Sequence, residues 1–279
     1  MNNNSNINTY LIFTDLDGTF LSNDDFSFGD NIKLTKKLIS LGHFVIVNSS
    51  KTFAEIHDLL SRNDLLLPII CETGGGIYLP KEGPNVTDQA AYDNYTKLFE
   101  APRISEIQEQ LTKILSEFEN DFDFFDDLEE KNQQKLSNLR GDGLILASKR
   151  VFTKLIVWRN NQERLMKLTK KLKNNNLNLV KGARFCHLCS NFTKGKSMNY
   201  LVSYYRKLYS QQSFNTIALG DSSNDIDMLK QADLSCIVNS MGNKTICDEE
   251  IFSKSIKSTS PAPNGWKECI REIINLGDS

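Results

Sequence analysis

The sequence predicts an α/β fold in which a parallel sheet is interrupted by an inserted second domain. Three observations carry that expectation. Short apolar strands alternate with amphipathic helices from Tyr10 to Pro80, the alternation resumes from Phe185, and a stretch of different character lies between. A chain of 279 residues is also about twice the ~150 of a usual single domain, which suits a core carrying a large insertion.

The elements follow in order. Tyr10-Leu-Ile-Phe-Thr14 is an apolar run that breaks into the turn-prone Asp15-Leu-Asp-Gly18, a buried strand delivering acidic residues to a loop. Ile32, Leu34, Leu38, Ile39 and Leu41 recur at helical intervals with Gly42 as the stop. His43 to Val47 reads as a second buried strand ending in Asn48-Ser-Ser-Lys51, and Thr52-Phe-Ala-Glu55 is a capping box that opens the next helix. Leu65 to Cys71 reads as a third strand running into Glu72-Thr-Gly-Gly-Gly76, which suits a turn and a substrate site equally. Strand and helix in strict alternation call for parallel pairing with right-handed crossovers.

From Lys81 to Arg184 the chain is richer in charge, with longer helices over Ile104–Phe118 and Gln162–Leu172 and a weaker strand at Lys154–Trp158. Phe185 to Cys189 is a strand or a domain crossing. A helix from about Gly195 to Tyr209 and strands at Thr216–Leu219 and Leu234–Val238 complete the core. The expected division is a core of residues 1–86 and 188–279 with an inserted domain of 87–187.

Composition excludes several classes. Hydrophobic residues are 39% and charged residues 24% of the chain, outside the range of disordered or fibrous proteins. Lysine and arginine number 33 against 35 acids, a net charge of −2, so no global field draws the chain to nucleic acid or anionic lipid. No apolar run approaches the ~20 residues of a membrane span, and Met1-Asn-Asn-Asn-Ser-Asn is polar where a signal peptide is basic and then apolar. A cytoplasmic protein is expected. Six scattered cysteines, at 71, 186, 189, 236, 247 and 269, suit a reducing compartment. Cys186 and Cys189 form a C-x-x-C without a second pair, and His187 between them points the other way on a strand, so the pair is read as packing rather than a zinc site. Asn174 to Asn176 is read as a surface loop.

The chemistry gathers at strand ends, where open parallel sheets bind ligands. Asp15 and Asp17, Ser49, Lys194 ahead of a helix, and Asp221 with Asp225 all follow predicted strands. Carboxylates brought into one crevice repel, and a hard divalent cation with oxygen ligands, magnesium above all, relieves that repulsion. Such a cluster beside a lysine, a serine hydroxyl and the backbone near Gly18 suits a phosphoryl group, which points to a phosphate ester as substrate. Lys196 competes with Lys194 for the lysine position, and Gly195 directly after Lys194 favours the latter. Trp266 reads as packing ahead of ligand contact.

Asp15-Leu-Asp-Gly-Thr19, Ser49, Lys194-Gly195 and Gly220-Asp-Ser-Ser-Asn-Asp225 stand in the order of the four motifs of the haloacid dehalogenase superfamily, and the chain resembles its phosphatases over nearly its full length. The resemblance implies a Rossmann-like core with an inserted α+β cap. Within that group Val47-Asn-Ser-Ser-Lys-Thr52, Gly182-Ala-Arg-Phe-Cys-His187 and Pro263-Asn-Gly-Trp266 are similar to mannosyl-3-phosphoglycerate phosphatases. It implies Asp15 as nucleophile, Asp17 as acid and base, Ser49 on a phosphoryl oxygen and Lys194 as charge balance. Magnesium is then held by Asp15, Asp17 through its main-chain oxygen, Asp221 and Asp225. Substrate contacts fall on Gly18, Ser50, Lys51, Gly74, Gly75, Arg150, Arg184, His187 and Asn224.

The chain departs from the family at Arg150-Val-Phe-Thr-Lys154-Leu, where members carry an Arg-Glu-Phe-Ser-Glu-Pro-like stretch. Arg150 fits and both acidic positions do not, which bears on how sugar hydroxyls are read. The expected partner is a small phosphorylated sugar-glycerate, mannosyl or glucosyl, with no nucleic acid or membrane partner, and monomer and dimer are both compatible with the sequence. Rival readings are a phosphatase of another sugar phosphate such as sucrose 6-phosphate, a phosphomutase, and a phospho-accepting regulatory module.

Overall fold

The computed structural model describes residues 9–81, 94–182, 184–240, 246 and 249–274. The expected 86/87 boundary of the inserted domain and the polar Met1–Asn6 stretch lie outside the described residues. The chain begins with β1 (Thr9–Thr14), α1 (Asn31–Ser40), β2 (Phe44–Asn48), α2 (Phe53–Ser61), β3 (Ile69–Cys71), β4 (Gly76–Pro80) and β5 (Tyr95–Glu100). It continues with α3 (Ile104–Leu115), β6 (Phe122–Phe124), α4 (Glu130–Ser137), α5 (Asp142–Ser148), β7 (Thr153–Trp158), α6 (Gln162–Lys173), β8 (Leu177–Lys181) and β9 (Cys186–Ser190). The last elements are α7 (Lys194–Leu208), β10 (Phe214–Gly220), α8 (Ile226–Gln231), β11 (Leu234–Asn239), α9 (Glu249–Lys254), β12 (Ile256–Pro261) and α10 (Asn264–Ile273). Two compact units result, Met1–Asn48 with Met198–Ser279, and Ser49–Ser197.

In the first unit the strands lie in the order β12-β11-β10-β1-β2, all parallel. The chain leaves β1 for β2 on one side and returns through β10, β11 and β12 on the other. The strand order thus reverses at β1, and parallel sheets open a ligand crevice beyond the carboxyl ends at such a point. Buried on both faces, these strands read as continuous apolar runs, and Leu11, Ile12, Phe13, Ile217, Ala218 and Leu219 are all sealed from solvent. Behind the sheet end, Trp266 of α10 is fully buried, stacks edge-on against Phe20 at 4.9 Å, and donates its indole N–H to Thr14 Oγ1 at 3.1 Å. The preference for packing at Trp266 holds.

The second unit contains an antiparallel run of strands, β3-β4-β5, and a four-stranded antiparallel sheet, β6-β7-β9-β8. On the latter, α3 and α6 bury Ile107, Leu111, Leu165, Leu168 and Leu172 against Ile156 and Leu188. Cys186 and Cys189 are free and buried, as the packing reading requires, and Asn174 to Asn176 form an exposed turn after α6. The predicted capping box is present, with Thr52 Oγ1 accepting from the Glu55 N–H at 3.1 Å and Glu55 Oε2 accepting from the Thr52 N–H at 2.8 Å. No helix of the described residues is long and apolar enough to cross a membrane.

The Trp266–Thr14 hydrogen bond joins two residues sealed from solvent. Trp266→Phe keeps most of the ring but leaves Thr14 Oγ1 without its donor, and should lower unfolding free energy in a urea titration by about 1–2 kcal/mol. Trp266→Ala adds a cavity and should cost about 3–5 kcal/mol.

Candidate active site

Parallel register builds the carboxylate cluster of the first unit. Thr14 pairs with Leu219 at the ends of β1 and β10, and the Asp15 N–H extends the ladder to the Leu219 carbonyl at 3.0 Å. Asp15 and Asp221 therefore leave the sheet together. Asp225 returns from the turn after β10, where its Oδ2 accepts the N–H groups of Asp221 at 3.2 Å and Ser222 at 3.1 Å. Asp15, Asp221 and Asp225 are all buried, and each offers a carboxylate oxygen within 4.8 Å of the others. Thr19 Oγ1 donates to Asp221 at 3.5 Å, and Asn224 Oδ1 accepts from Ser222 Oγ at 2.5 Å.

Two glycines permit this crowding. Gly18 has φ +77°, and a Cβ there would lie 2.6 Å from Asp221 Oδ2. A Cβ on Gly220 would lie 2.4 Å from the Asp225 Cβ, far inside contact distance. Asp17 is half-buried in the same turn, bridged to Leu21, and is not among the three converging carboxylates.

The second unit holds the remaining predicted residues. Ser49 is buried, with its N–H on the Ile70 carbonyl at 2.9 Å and its Oγ accepting from the Lys51 N–H at 3.3 Å. Ser50 gives its carbonyl to Arg150 Nη1 at 3.1 Å, and Arg150 Nη2 lies 3.9 Å from Glu55. Lys194 opens α7 and is fully buried, whereas Lys196 is exposed and bonds Asn191 at 2.6 Å, so the structure separates the two competing lysines. Gly74, at φ +108°, sits where a Cβ would meet the Thr193 carbonyl at 2.5 Å, and Gly75 where one would meet Phe152 at 2.4 Å. Arg184 is exposed and donates to the Ser137 carbonyl.

His187 is buried, with Nδ1 lacking a hydrogen-bond partner among the described residues. Burial first, then the positive charges of Arg150 and Lys194, push its pKa down to about 3. The imidazole is neutral at ordinary pH. The buried thiols of Cys71 and Cys189 are pushed up chiefly by burial, so neither is an activated nucleophile.

One residue absent from the expected site is prominent here. Glu72 is 1% exposed, and its carboxylate accepts the N–H groups of Val151, Phe152 and Thr153 at 2.9, 3.0 and 2.9 Å. The sequence signal was an acid directly after an apolar strand and before three glycines, since a charge in that position must find buried donors.

Residues 12–249 match the haloacid dehalogenase-like hydrolase family, and the chain belongs to it. The chain is similar, at 27% identity over 267 residues, to a glucosyl-3-phosphoglycerate/mannosyl-3-phosphoglycerate phosphatase of Persephonella marina, covering 95% of this chain and 97% of that one. A protein of the same name from Methanococcoides burtonii is 28% identical over 274 residues, covering 97% and 99%. Among solved structures, a phosphatase of the haloalkanoate enzyme superfamily from Bacteroides thetaiotaomicron superposes with a TM-score of 0.69 at 16% identity, covering 98% of this chain and 97% of that one. The expected fold class, a parallel-sheet α/β core of this superfamily, is borne out.

His187 gives a test of the second unit. The folded chain holds its imidazole neutral down to about pH 3, while the unfolded chain protonates near 6.5. Its contribution to stability is therefore complete above pH 6.5 and is lost as pH falls towards 3. Denaturant titrations over that range should show that His187→Gln removes a pH slope equivalent to about one proton.

Proposed function

We propose that this enzyme is a magnesium-dependent phosphatase that hydrolyses a glycosyl-3-phosphoglycerate, with mannosyl or glucosyl as the sugar, to the glycosylglycerate and phosphate. The observation that carries the reading is the buried convergence of Asp15, Asp221 and Asp225 at the switch point of a parallel sheet. Near-full-length similarity to two phosphatases named for both sugars supports the substrate class.

The donor set fits magnesium. Three buried carboxylates supply hard oxygen ligands, and burial makes their mutual repulsion costly. Asp15, Asp221, the Asp17 main-chain oxygen and Asp225 would hold the ion. When bound it offsets negative charge on the phosphoryl oxygens and keeps Asp15 ionised.

The Asp15 carboxylate attacks phosphorus, and the bond from phosphorus to the glycerate oxygen breaks. Asp17 gives its proton to that departing oxygen. Asp17 then takes a proton from water as the water attacks phosphorus, and the bond to Asp15 breaks to free inorganic phosphate. Ser49 donates to a phosphoryl oxygen and Lys194 balances the charge spread over those oxygens in a loose transition state. Gly18, Ser50, Lys51 and Asn224 line the phosphate side. Residues 87–187 form the cap, from which Arg150, Arg184 and His187 contact the glycerate or sugar, with Gly74 and Gly75 beside them. Among the described residues five cysteines are free and buried, which suits a reducing cytoplasm.

Phosphate release from mannosyl- and glucosyl-3-phosphoglycerate, assayed side by side in 18O-labelled water, tests the reading. The expected result is one solvent oxygen in each phosphate, and label-free transfer to a second sugar hydroxyl would mark a phosphomutase instead. Asp15→Asn should abolish turnover with the fold retained by circular dichroism. A chelator should stop the reaction, and magnesium should raise the melting temperature of the wild type but not of Asp221→Asn.

A further inference from the structure

We propose that Glu72 is a positioning residue that sets Arg150 against the Ser49–Lys51 loop, and so governs how tightly the enzyme holds the part of its substrate that is not transferred. This deepens the phosphatase reading and rests on it. Glu72 works through both its backbone and its side chain. Its N–H donates to the Lys51 carbonyl at 2.8 Å, and the next N–H, of Thr73, donates to the Ser49 carbonyl at 2.9 Å. Both residues sit in the left-handed region, at φ +48° and +63°. Non-glycine residues persist there only where their surroundings hold them.

The side chain faces the other way. Three consecutive N–H groups, of Val151, Phe152 and Thr153, converge on the carboxylate as an anion-binding nest, and Thr153 Oγ1 adds a fourth donor at 2.7 Å. The same Thr153 oxygen accepts from Arg150 Nη1 at 3.0 Å, and that nitrogen also donates to the Ser50 carbonyl at 3.1 Å. The bonds close a ring from Glu72 through Thr153 and Arg150 to Ser50, and back through Lys51. Arg150 Nε is buried without a hydrogen-bond partner among the described residues, so the guanidinium retains an unused donor that its neighbours do not satisfy. A carboxylate suits the nest because all four converging groups are donors. A glutamine would turn an NH2 towards them.

The test compares wild type, Glu72→Gln, Arg150→Ala and the double variant. Amide exchange followed by NMR should show Val151, Phe152 and Thr153 losing about tenfold protection or more in Glu72→Gln, while Ser49 keeps its own. With glycosyl-3-phosphoglycerate, Glu72→Gln should raise KM about tenfold with kcat within about threefold. With p-nitrophenyl phosphate, whose leaving group has neither sugar nor carboxylate, the kcat/KM of Glu72→Gln should stay within about twofold of wild type. In the Arg150→Ala background Glu72→Gln should add less than about twofold, because its effect runs through that arginine. Equal losses on both esters, additive effects in the double variant, or unchanged exchange at 151–153 would overturn the proposal. A wild type that releases phosphate from neither glycosyl compound overturns the substrate reading instead, and the exchange result still decides the role of Glu72. Should Glu72→Gln not fold, Glu72→Asp retains the charge one methylene short and should show the same pattern at smaller amplitude.

Discussion

Three buried carboxylates at one end of a parallel sheet are the constraint on which the rest of the first unit depends. Like charges so close raise the free energy of the fold unless something opposes them. Part of the opposition is local: the turn after β10 points the N–H groups of Asp221 and Ser222 at Asp225, and Thr19 donates to Asp221. Another part is mechanical. The β1–β10 ladder and the Trp266–Thr14 bond hold the strand ends rigid, so the carboxylates cannot relax apart. Held in this way, the three carboxylates present hard oxygen atoms within 4.8 Å of one another, a donor set of the kind divalent cations take.

The second unit handles charge in the opposite manner. Its one deeply buried acid facing the 151–153 segment, Glu72, is satisfied by backbone donors rather than by a cation. His187 is held neutral first by burial and then by the positive charges of Arg150 and Lys194. The net charge of −2 conceals this sorting. An acidic cluster in one unit and buried basic side chains in the other leave no trace in the overall composition.

Much of this was legible in the sequence, and the legible parts share a cause. Strands β1, β2 and β10 are buried on both faces, so they appear as uninterrupted apolar runs, and the carboxylates that follow them are conspicuous. The Thr52–Glu55 capping box is local and could be read directly. Other parts depend on partners far along the chain. The third strand was expected over Leu65–Cys71 and spans only Ile69–Cys71, because the preceding apolar residues Leu65 and Leu67 are buried without strand pairing. Strands β4, β5, β6, β8 and β12 carry little signal in the sequence: they are short or half-exposed, and pairing with a neighbouring strand, antiparallel for the first four and parallel for β12, supplies what their composition does not. Glu72 was equally ambiguous, since its meaning lies 79 to 81 residues away at Val151, Phe152 and Thr153.

The departure at residues 150–155 becomes intelligible on the same ground. The segment is gripped by its backbone N–H groups, so the side chain at 151 carries no part of the hold and an acid can give way to valine without releasing the turn. At 154 the substitution reverses charge, and Lys154 finds its counter-ion in Asp126 at 2.9 Å while resting over the Phe124 ring at 5.0 Å. That pair is partly exposed and contributes little to stability. Its consequence is placement: the amine is turned to Asp126 and Phe124. Thr153 and Arg150 are fixed instead by the Glu72 carboxylate and the Ser50 carbonyl, which neither replacement touches. The side chains at 151 and 154 thus take no part in the hydrogen bonds that hold Arg150 in this chain.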